Sequence, residues 1–317
     1  MLGSASCHMP VLSGSSGREL AISLSQILET ESVLIESRKF PDGEGYVRIP
    51  SESFGVIRSE PVILVSNTFP DSGIMRTILM LEAINDVRKG DLENFKQEGA
   101  QKLDDVGPGV YLAVPYYGYA RQDKRFSPGE TISARVISEI LGSSCDGMVI
   151  LDLHEPKVLD GSGFPIEFVS SMPEIARILE KEVNPDFILS PDKGAIDRAT
   201  EVANIGGWEF SYLEKTRIDA HTIEHQAKDL DVNGKVVAIV DDMISTGGTI
   251  CRASDALRRQ GAKAVYAACT HGLFTGGALS KLANHVDGVY TTDSLRNPRS
   301  VVSSAPALAR GIKEMIG

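Results

Sequence analysis

The stretch KVVAIVDDMISTGGT, residues 235–249, indicates the fold of this chain. Its first part is an apolar run without polar alternation, which is typical of a strand buried on both faces of a parallel sheet. Two acids follow the run, and a Ser/Thr/Gly loop then leads into a helical pattern. Ligands of open α/β sheets bind at the carboxyl ends of strands, so this connection is the expected binding site.

The loop after the acids has the chemistry of a phosphate-binding loop. It consists of Ser245, Thr246, Gly247, Gly248 and Thr249. Backbone N–H groups in such a loop, together with the hydroxyls and the positive end of the helix that follows, suit a phosphate monoester. The alternative is an ordinary capped helix start.

The paired acids Asp241 and Asp242 add a second feature to this loop. Two carboxylates beside a phosphate site can accept hydrogen bonds from the vicinal hydroxyls of a ribose phosphate. Neighbouring residues of a continuing strand point to opposite faces of a sheet, so their joint use predicts that the strand ends at this pair. The alternative is that both acids are simply solvated.

Alternation of strand and helix patterns extends along the chain in both directions. Besides the strand at residues 235–240, the pattern predicts strands at residues 61–66, 110–114, 147–151, 186–189 and 262–269. Helical patterns lie at residues 17–28, 73–87, 131–140, 173–183 and 248–260, the last stopped by Gly261. This order predicts an α/β protein with parallel sheets covered by helices.

The length favours two domains rather than one. At 317 residues the chain is near the upper limit for a single hydrophobic core. A Gly- and Ser-rich stretch at residues 160–165 interrupts the pattern, and we place the domains at residues 1–150 and 151–317. The last helix, near residues 306–316, can pack on either domain.

Residues 88–109 are polar and rich in glycine, and we interpret them as a surface excursion.

Composition excludes several classes of protein. The chain is 42% apolar and 24% charged, and 32 Lys and Arg against 43 Asp and Glu give a net charge of −11. This acidity argues against a nucleic-acid or membrane-surface binder. The apolar runs are far shorter than the roughly 20 residues that span a bilayer, and the first ten residues do not resemble a signal peptide, so a cytoplasmic protein with reduced cysteines is expected.

Four further segments give the loop a family context. They are FPDGE at residues 40–44, YARQDK at 119–124, DLH at 152–154 and SPD at 190–192. Together with the Asp-Asp loop, they resemble in order and approximate spacing the ribose-phosphate diphosphokinases, or PRPP synthetases. The resemblance covers nearly the whole chain and implies two phosphoribosyltransferase-like domains.

The resemblance implies a reaction and its ligands. Members of this family transfer the diphosphoryl group of Mg-ATP to the C1 hydroxyl of ribose 5-phosphate, which gives PRPP and AMP. Asp241 and Asp242 would then hold the ribose hydroxyls, and residues 245–249 would hold the 5-phosphate. A homo-oligomer, a dimer or larger, is implied, with the ATP site near a subunit interface.

The FPDGE segment corresponds to an adenosine contact of the family. The resemblance places Phe40, Asp42, Gly43 and Glu44 against ATP, with a loop from the neighbouring subunit completing the site. Read alone, these residues predict a turn in which Pro and Gly set the backbone and the acids are solvated.

Arg121 and Gln122, in the YARQDK segment, correspond to further ATP contacts of the family. An arginine suits a phosphate or the face of a base. Read alone, the segment is a solvated basic loop.

His154 and Asp192 correspond to the positions where the family binds the magnesium of Mg-ATP. Magnesium prefers oxygen ligands, so a histidine is a poor choice unless it contacts the ion through a metal-bound water. Read alone, His154 is a hydrogen-bonded histidine at the end of a strand. Lys193 after Asp192 would add positive charge near the ATP phosphates.

Lys215 and Arg217 correspond to the pair of cations that the family uses in catalysis, and Arg217 also to a ribose 5-phosphate contact. Phosphoryl transfer depends on alignment and on neutralisation of developing charge, which two cations can supply. Read alone, the pair is a basic edge of a strand.

One segment imitates a metal site. Residues 221–225, HTIEH, satisfy the zinc-peptidase pattern H-x-x-E-H. No third ligand in a suitable context is apparent, so we interpret the match as chance. No Walker A sequence occurs, and ATP use is therefore implied by the family resemblance alone.

Departures from the family pattern point to a subgroup and leave two alternatives open. Many bacterial and animal members have an acid where this chain has Ser245, and they lack the excursion at 88–109. With Lys193, these differences favour the archaeal-type members. The alternatives are a phosphoribosyltransferase that consumes PRPP and a catalytically silent regulatory subunit of a PRPP synthetase.

Overall fold

The computed structural model describes residues 8–92, 109–217, 223–226 and 230–317, with side chains described outside residues 214–217 and 223–226. The described chain forms two compact units. The first extends to Val169 and includes Ala305–Gly317, and the second is Ser170–Ser304. None of the described helices is long and apolar enough to cross a membrane.

The first unit is built on a parallel sheet of six strands in the order β2-β1-β5-β6-β7-β8. Strands β3 and β4 form a separate antiparallel hairpin. The strands are β1 Val11–Ser13, β2 Ser32–Leu34, β3 Glu36–Lys39, β4 Gly45–Arg48, β5 Val62–Val65, β6 Val110–Val114, β7 Gly147–Leu151 and β8 Ile166–Val169. The helices are α1 Arg18–Ile27, α2 Phe54–Ser59, α3 Asp71–Lys89, α4 Ser133–Gly142 and the carboxyl-terminal α9 Ala305–Ile316.

Each face of this sheet has its own core. Leu64 and Leu112 pack into one cluster, whereas their neighbours Ile63 and Ala113 pack into the other. Alternate residues of a strand point to opposite faces, so a strand buried on both faces needs an unbroken apolar run. The sequence pattern used to predict the parallel sheets is therefore confirmed by the packing.

The second unit repeats this architecture. Its six parallel strands have the order β10-β9-β13-β14-β15-β16, and β11 and β12 form an antiparallel hairpin. The strands are β9 Phe187–Ser190, β10 Glu209–Tyr212, β11 Glu214–Arg217, β12 Ile223–Gln226, β13 Val236–Ile244, β14 Ala264–Gly272, β15 Gly288–Thr292 and β16 Ser300–Val302. The helices are α5 Met172–Glu182, α6 Ile196–Gly206, α7 Gly248–Arg259 and α8 Ala278–Leu282.

The two sheets have the same strand topology. In each, the first two strands occupy the same places, a hairpin follows them in the chain, and the next four strands extend the sheet in chain order. Strand β5 of the first unit is thus the counterpart of β13 in the second. The expected fold, two parallel sheets covered by helices, is confirmed.

The units do not divide at the predicted boundary of residues 150 and 151. Strand β7 ends at Leu151, and β8 then pairs with β7 inside the first sheet, from Met148↔Ile166 to Leu151↔Val169. The Gly-rich stretch at 160–165 is therefore a connection within the first unit and not a linker between domains. Long-range strand pairing, which composition does not reveal, sets the actual boundary.

Helix α9 also belongs to the first unit, which decides between the two packings that the sequence left open. Leu308 and Ile312 are buried in the cluster that contains Val149 and Val169. A Cβ added to Gly311 would collide with the side chains of Val169 and Val149. Close approach of α9 to the sheet therefore requires glycine at this position.

The predicted end of α7 is confirmed. The helix stops at Arg259, and Gly261 has φ +87. Gly261 N–H donates to the Arg258 carbonyl at 3.0 Å, and Ala262 N–H donates to the Leu257 carbonyl at 3.1 Å. This pair of bonds is a Schellman motif, in which glycine supplies the left-handed residue.

The excursion at 88–109 is only partly a surface segment. Residues 93–108 lie outside the described residues, and Arg88 belongs to α3, which ends at Lys89 and is followed by Gly90 with φ +71. The Arg88 guanidinium is half-buried and donates to the carbonyls of Ile57 at 3.0 Å and Glu60 at 2.9 Å. Arg88 therefore ties α3 to the end of α2.

We predict that Gly311→Ala destabilises the first unit. Alanine is the better helix former by about 1 kcal/mol, so helix propensity alone would raise stability. The collision with Val169 and Val149 should instead cost about 1–3 kcal/mol and lower the thermal midpoint by several °C. Calorimetry measures the shift, with exposed Lys313→Ala on the same helix as the control. A midpoint equal to or above that of the wild type would contradict this packing.

Candidate active site

Strand β13 does not end at the paired acids, contrary to the prediction. It continues to Ile244, because β14 lies beside it through the pairs Asp241↔Cys269 and Ile244↔Gly272. On the other side, the register with β9 runs only to Ile239↔Leu189. The acids therefore lie in the part of the strand that extends beyond the pairs with β9.

Asp241 and Asp242 nevertheless interact with each other. Asp242 N–H donates to the Asp241 carboxylate at 2.9 Å, and Asp242 is only 3% exposed. Burial raises the pKa of the Asp241 carboxyl well above its usual value, and the negative charges of Asp242 and Asp192 raise it further. At the end of β13, Asp241 and Asp242 thus form an acidic site, and the negative charge of Asp192 reaches Asp241.

The loop at residues 245–247 leaves the start of α7 open. Gly247 has φ +72 and ψ 0, a left-handed conformation that favours glycine, and α7 begins at the next residue. Among the described residues, no side chain caps this end, and the first turn contains no acid. The first N–H groups of a helix have no partner inside the helix, so those of this twelve-residue helix favour an anion.

A second loop, at residues 273–277, supports the first. Leu273 N–H and Phe274 N–H donate to the Ile244 carbonyl at 3.0 and 3.2 Å, and Thr275 N–H donates to the Ser245 carbonyl at 3.0 Å. The Ser245 and Thr275 hydroxyls are also hydrogen-bonded, at 3.1 Å. This support was not predicted, although Thr-Gly-Gly occurs after both β13 and β14, at 246–248 and 275–277.

Two cations that were not predicted from the sequence lie beside the phosphate loop. A Cβ added to Gly248 would be 3.4 Å from Nη1 of Arg252 and 3.7 Å from Nζ of Lys281. Arg252 is on the first turns of α7, and Lys281 is on α8. Arg252 is close to the loop in sequence but looks like an ordinary solvated cation of a helix, and Lys281 is far from the loop in sequence.

The predicted magnesium residues are on different units. Asp192, in the second unit, follows β9, and its carboxylate accepts a hydrogen bond from Gly194 N–H at 2.9 Å. The negative charge of Asp192 raises the pKa of Asp241, so Asp192 belongs with the acidic site at the end of β13. His154, in the first unit, is half-buried and follows Asp152, which has φ +41. Lys193 is exposed.

The FPDGE segment forms the tip of the β3–β4 hairpin. Phe40 N–H donates to the Glu44 carbonyl at 2.9 Å, and Glu44 N–H donates to the Asp42 carboxylate at 3.0 Å. Gly43 has φ +95, as a turn glycine should. The turn is therefore present, and all the residues assigned to ATP in this segment are exposed at its tip.

The Phe40 ring has a defined setting although it is 39% exposed. It meets the Tyr46 ring edge-on, with centroids 5.7 Å apart. The Arg38 guanidinium lies 5.3 Å from the Phe40 centroid and 4.5 Å from the Tyr46 centroid. This packing presents an aromatic surface to solvent, which can receive another flat ring.

Arg121 and Gln122 lie in a tight turn between β6 and α4. Gln122 N–H donates to the carbonyl of Tyr119, which has φ +63, and Ala134 N–H at the start of α4 donates to the Gln122 carbonyl at 3.4 Å. The Tyr119 hydroxyl donates to Asp71 at 2.8 Å. Arg121 is exposed on this structured turn.

Lys215 and Arg217 both lie on β11, paired with His225 and Ile223 of β12. The strand that their spacing suggested is therefore present.

The same hairpin contains part of the zinc-peptidase pattern. His221 lies outside the described residues, and Glu224 and His225 are in a strand. A zinc site with this spacing requires a helix, so the interpretation as a chance match is supported.

The fold and the loop together define a protein of the phosphoribosyltransferase fold. The model of the phosphoribosyl transferase domain matches residues 172–303, which include β13 and the loop. A crystal structure of phosphoribosylpyrophosphate synthetase from Mycobacterium smegmatis has a TM-score of 0.78 and 27% identity, and the match covers 98% of this chain and 99% of that one.

Curated relatives identify the family within this fold. The ribose-phosphate pyrophosphokinase of Methanopyrus kandleri is 37% identical over 98% of this chain and 100% of its own length. That of Thermoplasma volcanium is 33% identical over 97% of this chain and 99% of its own length. The chain belongs to the ribose-phosphate pyrophosphokinase family, and these archaeal relatives agree with the expected subgroup.

We predict that Gly247→Ala costs more stability than Gly207→Ala. Both glycines have similar positive φ values, +72 and +69, so each substitution should cost about 1–2 kcal/mol for the backbone. A Cβ at Gly247 would also be 3.1 Å from Leu282, whereas a Cβ at Gly207 meets nothing within 4 Å. Urea unfolding of both variants gives the comparison, and equal losses would show that α8 does not press on the loop.

Proposed function

We propose that this chain transfers the diphosphoryl group of ATP to the C1 hydroxyl of ribose 5-phosphate, giving PRPP and AMP. Family membership supports this reaction. The structural observation that carries it is the open start of α7 directly after the carboxylates of β13. That arrangement offers an anion site and hydroxyl acceptors side by side, as a sugar phosphate requires.

Ribose 5-phosphate is assigned to the second unit. The amides and hydroxyls of residues 245–249 receive the 5-phosphate, with Arg217 as a further contact. Asp241 and Asp242 accept hydrogen bonds from the ribose hydroxyls. Burial of these acids supports the assignment, because buried carboxylates that repel each other are stabilised when hydroxyl groups donate to them.

ATP is assigned to exposed residues of the first unit. The hairpin tip with Phe40, Asp42, Gly43 and Glu44 would contact adenosine, and Arg121 and Gln122 would provide further contacts. The exposed ring of Phe40, packed against Tyr46, supports this assignment. A homo-oligomer is part of the proposal, since the family resemblance implies that a neighbouring subunit completes the ATP site.

The acidic site at the end of β13 fits a magnesium ion. Carboxylate oxygens are the hard ligands that magnesium prefers, and the negative charge of Asp192 helps to raise the pKa of Asp241. Within the described ranges, no three His, Cys, Asp or Glu side chains are grouped to hold a metal. Magnesium does not require such a group, because it is commonly held by one or two carboxylates together with substrate phosphates.

We assign Asp192 as a carboxylate ligand of this ion. The assignment of His154 is supported by the family resemblance alone. When bound, the ion would neutralise part of the charge on the ATP phosphates.

The transfer itself needs little covalent chemistry from the protein. The C1 hydroxyl oxygen bonds to the β-phosphorus of ATP, while the bond from that phosphorus to the oxygen shared with the α-phosphorus breaks. AMP leaves with that oxygen, and the hydroxyl proton passes to solvent. Lys215 and Arg217 are assigned the task of neutralising negative charge that develops on the phosphoryl groups during this exchange.

The remaining assignments follow from the same proposal. The substrates are small anions, so neither nucleic acid nor membrane is a partner. The net charge of −11 supports this view, because attraction to either surface requires a basic face. We also propose a cytoplasmic location, where ATP is the abundant nucleotide substrate.

The first test is to incubate the purified chain with Mg-ATP and ribose 5-phosphate and to separate the products. We expect AMP and PRPP in equal amounts, because the diphosphoryl group moves as one unit. Nucleotide chromatography together with phosphorus NMR measures both products. ADP without AMP would show a simple kinase, and absence of turnover would favour the silent regulatory subunit. Formation of nucleotide from added PRPP and a base would favour the phosphoribosyltransferase.

Lys215→Ala tests the assignment of the catalytic cation. Well-placed cations in phosphoryl transfer contribute about 10³–10⁵ in rate, so turnover should fall by orders of magnitude. The Kd for ribose 5-phosphate should change little, and calorimetric titration measures it independently of turnover. Exposed Lys263→Ala, at the opposite end of β14, is the matched control. A loss of ribose 5-phosphate affinity as large as the loss of turnover would assign Lys215 to binding instead.

A further inference from the structure

The proposed phosphate site has an electrostatic problem that its loop alone does not solve. The phosphate of a sugar monoester carries nearly two negative charges at neutral pH, and it would lie close to Asp241, Asp242 and Asp192. The start of a helix offers about half a positive charge. Backbone amides alone therefore leave the anion beside an excess of negative charge.

Two side chains are placed to correct this imbalance. Nη1 of Arg252 and Nζ of Lys281 are 3.4 and 3.7 Å from the Cβ position of Gly248, the first residue of α7. A Cβ stands about 2.5 Å from the amide nitrogen of its own residue, so both cations are within about 6 Å of the Gly248 amide. A phosphate that accepts from this amide is thus within reach of both side chains.

The two cations come from different elements that the loop holds together. Arg252 lies one turn into α7, and Lys281 lies on α8. Helix α8 is positioned by the 273–277 loop, whose amides donate to the carbonyls of Ile244 and Ser245. Leu282, next to Lys281, is fully buried against Gly247. The position of Lys281 is therefore linked to the geometry of the phosphate loop itself.

The charge of both side chains reaches the first turn of α7. The pKa of the Cys251 thiol is raised chiefly by burial, and Lys281 and Arg252 each oppose this rise by favouring the thiolate. Negative charge at the start of α7 is thus stabilised by these two residues. This electrostatic observation agrees with the distances from Gly248.

We propose that Lys281, together with Arg252, binds the 5-phosphate of ribose 5-phosphate and so contributes to the specificity for a phosphorylated sugar. The inference rests on the proposed function for the location of this substrate. Lys281 is the residue to test first, because its ammonium approaches the loop from a different helix, α8. Neither residue contacts the C1 hydroxyl in this assignment, so both act in binding and not in the transfer step.

The test compares Lys281→Met with the wild type at low and at high salt. Methionine keeps a long apolar side chain and removes the charge. Calorimetric titration should show an increase of about 5- to 20-fold in the Kd for ribose 5-phosphate, a smaller salt dependence and nearly unchanged kcat. Lys281→Arg, which keeps the charge, should restore most of the affinity.

Controls separate this role from a general effect. Lys263→Met removes an equally exposed lysine far along the same unit and should bind ribose 5-phosphate as the wild type does. Arg252→Met should weaken binding in the same direction as Lys281→Met, and the double variant should be weaker than either. Thermal midpoints confirm that each variant is folded.

An unchanged Kd in Lys281→Met and in the double variant would overturn the inference. An equal loss of affinity for unphosphorylated ribose would also overturn it, because the effect would then not concern the phosphate. If the wild type bound ribose 5-phosphate but formed no PRPP, the proposed function would fail while the binding comparison remained valid.

Discussion

The structure depends on one constraint, which is that the first amide groups of α7 have no partner within the helix. A helix start is normally capped by a side chain, but here Gly247 occupies the cap position in a left-handed conformation that leaves the amides open. The glycine also allows Leu282 to pack against the loop. The order of the sheet then decides what lies beside these amides, and β13 places two carboxylates there.

Comparison of the two units shows why this site is found in one of them. Strand β5 and helix α3 are the topological counterparts of β13 and α7, yet α3 begins with Asp71, whose carboxylate accepts a hydrogen bond from the Tyr119 hydroxyl. A negative side chain in the first turn of a helix repels a second anion from that helix start. The same architecture therefore has a helix start without a capping side chain or an acid in the second unit, and a helix start with an acid in the first.

The hairpins give a similar comparison. Each unit inserts one after its second sheet strand, and the FPDGE tip and the Lys215–Arg217 strand belong to these corresponding hairpins. The proposed adenosine contacts at the FPDGE tip and the proposed catalytic cations thus come from equivalent places in the two units. The two hairpins have the same place in the topology but carry different side chains.

Local patterns predicted much of this fold, whereas features set by distant contacts were missed. Strands β6 and β7 have the predicted limits because Gly109 and Pro115 bound the first run, and Asp146 and Asp152 bound the second. Strand β13 was predicted too short, because pairing with β14 continues past two acids that look like a strand end. Helix α6, rich in small and polar residues, and the return of α9 to the first unit gave no comparable signal.

The candidate site was predictable to a similar degree. The loop at 245–249 was recognisable because its residues are consecutive and each has a clear chemical reason to be there. Lys281 and Arg252 were not, since a lysine on α8 and an arginine on α7 look like ordinary solvated cations in the sequence. Only the packing of the 273–277 loop on the end of β13 brings Lys281 beside the loop.

Amide NMR of the phosphate loop tests the central claim most directly. In protein labelled with ¹⁵N at glycine and threonine, ribose 5-phosphate should shift the amide signals of Thr246, Gly247, Gly248 and Thr249, and ribose without the phosphate should leave them nearly unchanged. Hydrogen bonds from these amides to the phosphate account for that difference. If ribose 5-phosphate bound with its largest shifts elsewhere, or if both sugars shifted the loop equally, the start of α7 would not be the phosphate site.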